Sequence, residues 1–157
     1  YNYFMKKLIL IMAVLFVSYG NVSAEEYSLD WYLKGTVFES IIFDDSSSFN
    51  LIKGEGPWED NKGNFGYLNC IGKTSNINQN SVLDMVCSAH DNSGEKFWLK
   101  LDRKSERDVG VGVVKYIKGT GKFKDYNNLK CVYAVNYLND GNQEERTGFY
   151  KQKCKLN

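Results

Sequence analysis

Few residues of this chain have the types and spacing that chemistry needs. The run Gly119-Thr120-Gly121-Lys122-Phe123 has the composition of a loop that cradles phosphate. That chemistry requires Gly-x4-Gly-Lys-Ser/Thr, so that backbone amides, a lysine and a hydroxyl converge on one phosphate chain. Here Tyr116 stands where the first glycine should be, and Phe123 follows Lys122. The dinucleotide fingerprint fails too, because Lys124 occupies the place of its third glycine and no βαβ pattern surrounds it. Gly119 and Gly121 are therefore read as a tight connection that needs positive φ.

His90 is the single histidine. With Asp91 it has the residue types of a general-base pair. Neighbours on a strand point to opposite faces, so the two side chains diverge. One histidine also leaves little for a Ser-His-Asp arrangement. Segments 58–64 and 91–95 carry acidic and amide oxygens of the kind that bind Ca²⁺. Neither has EF-hand spacing. Both read as polar hairpin turns with Gly63 and Gly94 at positive φ. Segment 102–108 mixes both charge signs and reads as a solvated loop. No cofactor and no metal site is expected.

The cysteines carry the clearest signal: Cys70, Cys87, Cys131 and Cys154. No CxxC or HxxxH pair accompanies them, which argues against zinc. An even count in an exported chain reads as two disulfides. Export itself is expected from residues 5–24, MKKLILIMAVLFVSYGNVSA. Lys6 and Lys7 precede a short apolar run, and Val22-Ser23-Ala24 is a small-x-small cleavage pattern. This is the layout of a signal peptide cut after Ala24. The apolar run is too short to cross a hydrocarbon core as a helix, which takes about 20 residues. Residues 1–4 read as an upstream extension, and residues 25–157 as one domain.

Removing Lys6 and Lys7 from the 20 basic residues leaves 18 against 19 acidic ones. That balance gives no footprint for nucleic acid. No second hydrophobic segment is available to span a membrane, and the expected location is periplasmic or secreted.

The elements that must position these residues are strands. Apolar and polar residues alternate over 33–43, 49–54, 65–73, 83–90, 96–103, 110–118, 129–138 and 146–155. Phe97, Leu99 and Leu101 share a face, as do Leu129, Cys131, Tyr133, Val135 and Tyr137. No window of 25–157 carries a helical stripe, although one helical turn fits 122–127. Pro57, the single proline, is placed in a turn. Consecutive strands with short links pair antiparallel. Eight of them favour an all-β, closed up-and-down barrel, which leaves no exposed edge. A two-layer β-sandwich is the alternative. Cys70 and Cys87 fall on consecutive strands, as do Cys131 and Cys154. The expected bridges are Cys70–Cys87 and Cys131–Cys154, each contributing about 3 kcal/mol in the chain-entropy model.

Residues 119–123, followed by a strand with aromatic residues, resemble an element of the allene-oxide-cyclase-like barrels. The resemblance covers about 111–136, and is to uncharacterised exported bacterial members. It implies an eight-stranded antiparallel barrel of calycin type. Asp125 and Lys130 stand where that family has glycines, and no catalytic residue of the plant cyclases matches a position here. No activity follows from it. The lipocalin Gly-x-Trp is absent, since the order is Trp31-Tyr32-Leu33-Lys34-Gly35.

Aromatic residues within the strands supply the candidate binding surface. Tyr67, Trp98, Tyr116, Tyr133 and Tyr137 have the apolar bodies and polar tips that line a cavity for a small apolar or aromatic ligand. The competing reading is that they fill the barrel and girdle it. Ionisable Glu39, Lys53, Asp84 or Lys115 would mark a site if they faced inward, because burying an unpaired charge is costly. The expected function is an exported binding module for such a ligand or for an envelope protein. The rivals are an isomerase- or cyclase-like barrel enzyme, and a structural or inhibitory secreted protein with a filled barrel.

Overall fold

The computed structural model describes residues 26–78, 80–105, 110–138 and 145–156. Residues 5–24, read from the sequence as a signal peptide, and residues 106–108 of the charged segment lie outside them, while 102–105, expected as part of a solvated loop, instead continue a strand in which Arg103 is buried. The chain forms eight strands: β1 (Glu26–Ile42), β2 (Ser48–Asp60), β3 (Phe65–Ile77), β4 (Asn80–Asp91), β5 (Lys96–Ser105), β6 (Gly110–Gly119), β7 (Lys130–Tyr137) and β8 (Glu145–Lys155). A short 3-10 helix, Gly121–Tyr126, joins β6 to β7. All neighbours pair antiparallel in sequence order, and β8 closes on β1. The protein is an up-and-down barrel, not a sandwich.

Period-2 patterning dictates this closure. Along β4, Leu83, Met85, Cys87 and Ala89 are buried, while Val86, Ser88 and His90 are exposed. The same alternation runs through β5 and β7. Two bulges adjust the phase. In β1–β2 the register shifts between Val37 and Glu39. In β5–β6 it shifts between Trp98 and Leu99, so that Ile117 and Lys118 both face out and Gly119 turns in. An extra residue on one strand produces this effect.

Several strands run longer than their alternation predicts. β1 starts at Glu26 and carries Tyr27, Leu29 and Trp31 on its buried face. β2 continues through Pro57, which therefore sits in a strand and not in a turn. Pro57 is tolerated because the β1–β2 ladder is interrupted there, between the Trp31–Trp58 and Lys34–Glu55 pairs.

Both disulfides form as expected, Cys70–Cys87 across β3–β4 and Cys131–Cys154 across β7–β8. Each joins residues directly opposite in the ladder. Two disulfides fit an oxidising, extracytoplasmic setting. No helix among the described residues is long and apolar enough to cross a membrane.

The interior divides into two halves. The half nearest the 3-10 helix is filled with rings. Phe123 sits against Phe97 (5.0 Å between centroids) and Trp58 (6.0 Å), and Tyr126 against Tyr27 (4.8 Å). Burying Phe123 alone contributes about 2 kcal/mol. Near the middle, Trp31 stacks on Tyr150 and Tyr133. The other half, toward the β1–β2 hairpin, encloses a cavity.

Candidate ligand cavity

The glycine-rich run that first resembled a phosphate loop closes the filled end. Gly121 has φ +46, and a Cβ there would meet the Glu95 carboxylate. That carboxylate accepts the Lys122 backbone N–H (2.9 Å). Lys122 Nζ then donates to Asp91 Oδ2 and to Asn64 Oδ1, both at 2.7 Å. The helix, the β4–β5 turn and the β2–β3 turn are thereby tied together. Each turn is built on an aspartate. Asp91 accepts the N–H groups of Ser93 and Glu95, and Asp60 those of Lys62 and Asn64. Gly63 and Gly94 take positive φ, as the hairpin reading required. Burial alone would raise the Asp91 pKa. Lys122, Ser93 and the backbone N–H groups outweigh it and bring it down to about 2.

The cavity at the opposite end has a volume of about 860 Å³. It lies between the later part of β1, the first part of β2, and facing residues of β3, β4, β5, β7 and β8. Leu33, Ile52, Leu83 and Met85 give it apolar wall, and Asn50, Thr74 and Ser81 give it polar wall. Three cations line it, Lys53, Arg103 and Arg146, against one carboxylate, Glu39. Lys53 pairs with Glu55 on the strand surface at 2.7 Å.

Arg103 is the unusual member. It is 5% exposed. Its Nη1 donates to the Tyr137 hydroxyl at 3.4 Å, a long contact, and its Nε has no hydrogen-bond partner. No carboxylate pairs with it among the described residues. Desolvation works against its charge, but Tyr137, Tyr133 and Tyr150 around it outweigh that, and its pKa is raised. The guanidinium stays charged. Tyr133, whose hydroxyl is buried without a partner, has its pKa raised by burial, with Arg103 partly offsetting the shift.

The structure separates the aromatic candidates. Tyr137 lines the cavity and touches Arg103. Tyr133 is buried behind the cavity wall, stacked against Trp31. Tyr116 is buried in the filled half, where its hydroxyl accepts from Gln152 Nε2 at 3.0 Å. Burial holds the Tyr116 pKa above its ordinary value. Tyr67 and Trp98 lie on the outer face, Tyr67 exposed and Trp98 half-buried. His90 is on the outer face too, while Asp91 turns inward and is held by Lys122. Among the ionisable candidates, Glu39 and Lys53 reach the cavity rim. Asp84 pairs with Lys100 outside, and Lys115 is exposed.

Tyr150, another strand tyrosine that the sequence offered for a cavity, lines it, whereas Arg103 and Arg146 are among the lining residues that the sequence reading did not single out. The signal for Arg103 was present: it continues the inward series Phe97, Leu99, Leu101 in phase.

No family model matches the chain, and no curated protein matches it. Among solved structures it is similar to a conserved protein of unknown function from Rhodopseudomonas palustris. The identity is 9%, the TM-score 0.55, and the alignment covers 85% of this chain and 99% of that one. At that identity the likeness shows the fold alone.

Proposed function

We propose that this protein is an exported binding module that holds a small amphipathic molecule in the unfilled half of its barrel. The observation that carries the reading is the cavity of about 860 Å³, lined by both apolar and polar side chains. That volume lies within the range of about 300–1,000 Å³ typical of small-molecule sites. Export is supported by residues 5–24, read as a signal peptide, and by two disulfides. The resemblance of 111–136 to allene-oxide-cyclase-like barrels agrees with the eight-stranded closure and brings no catalytic residue with it.

Titration with N-phenyl-1-naphthylamine, a neutral apolar fluorophore, tests the reading. Saturable fluorescence at one probe per chain is expected, and Thr74→Trp, which places an indole in the cavity, should abolish it. Binding that does not saturate, or that survives Thr74→Trp unchanged, would reject an internal site.

A further inference from the structure

We infer that the ligand of this cavity carries a single carboxylate, and that Arg103 is the residue that receives it. The inference rests on the cavity-binding reading above.

The argument starts from cost. A guanidinium removed from water loses strong hydration, and this is normally recovered through a carboxylate and a full set of hydrogen bonds. Arg103 is 5% exposed and has neither. Among the described residues its one hydrogen bond is the 3.4 Å approach to Tyr137, itself a cavity residue. The interior stack of Trp31, Tyr133 and Tyr150 would be fully served by a leucine or methionine at position 103. A buried cation with one long hydrogen bond and an unpartnered Nε points to something that binds it.

The chemistry of that partner follows from the donor. Guanidinium presents N–H groups in a planar fork that matches two oxygens in a plane. Carboxylate and phosphate both offer such an edge. A single buried cation neutralises one negative charge, and a phosphate dianion would bring a second charge into a low-dielectric wall. Leu33, Ile52, Leu83 and Met85 beside it favour an apolar body on the same molecule. Tyr137, which lines the cavity beside Arg103, adds a hydroxyl able to donate to such a head group.

The test compares decanoate with decanol, two probes with the same chain and different heads, by calorimetric titration of the oxidised mature protein. Decanoate should bind about tenfold more tightly or better, as expected for a charged hydrogen-bonded pair. Arg103→Gln should remove that preference, and Tyr137→Phe should reduce it by a smaller factor. Equal binding of both probes, or a preference kept in Arg103→Gln, would overturn the carboxylate while leaving the cavity reading intact. If neither probe binds, the carboxylate inference falls. The naphthylamine titration then decides whether the cavity reading falls with it. Should Arg103→Gln fail to fold, Tyr137→Phe and the two-probe comparison on the unaltered protein still decide the matter.

Discussion

The Asp91 carboxylate and the Lys122 ammonium meet at 2.7 Å, with the acid side chain wholly buried and the base 41% exposed. A turn between β4 and β5 is thus bolted to the helix that closes the barrel. The pair converts a run resembling a phosphate loop into a structural clasp.

This clasp should make the fold acid-sensitive in a defined window. The Asp91 pKa is held below the ordinary carboxylate range, at about 2. Its stabilisation is therefore full above the unfolded value near 4 and is lost as pH falls through about 2. Asp91→Asn should cost on the order of 2 kcal/mol at pH 6, from loss of charged hydrogen bonds. In urea unfolding series the gap between the variant and the parent should shrink as pH falls below about 4. A gap independent of pH would show that Asp91 acts through shape alone.

Gly121→Ala should be harmful despite its exposed position. The residue has φ +46, and a Cβ would collide with the Glu95 carboxylate. A loss of about 1–2 kcal/mol is expected from the backbone and the displaced side chain. Thermal unfolding checks it, and Gly121→Asn, which tolerates left-handed φ better, should still fall short because the collision remains.

Each bridge should be separately measurable. Replacing Cys131 and Cys154 together by serine should lower stability by about 3 kcal/mol in denaturant. Intact mass before and after reduction should differ by about four hydrogens in the parent and by about two in this variant. A mass unchanged on reduction would remove the covalent framework.

Arg103→Met should raise the stability of the ligand-free protein by about 1–2 kcal/mol, since replacing an under-satisfied buried charge by an apolar side chain is often stabilising. Melting curves decide. A marked loss of stability would mean that Arg103 holds the fold together and is not spared for a partner.

Much of the barrel was legible because its strands are half-buried and alternate cleanly. Phe97-Leu99-Leu101 and Cys131-Tyr133-Val135 name their own inward face, and all eight segments appear as strands. The failures have physical causes. Pro57 reads as a turn because its missing N–H argues against a ladder, yet the ladder has a gap there. Tyr67 and Trp98 were grouped with Tyr137 by type, whereas facing depends on register and bulges that composition does not encode. Arg103 was passed over because its charge hides the periodicity it obeys.

The plug of Phe123 and Tyr126 gives the barrel a blind end. A vessel of this kind is a cup and not a conduit. Whatever enters its interior must leave by the side it came in, so capture and discharge are the same journey run in opposite directions. On the proposed binding role, how long a ligand stays is governed by the lip, where the β1–β2 hairpin presents Phe38, Ile41 and Ile42 to the surroundings. Alterations at that rim should change dwell time, while alterations around Lys122 should change only whether the cup holds its shape.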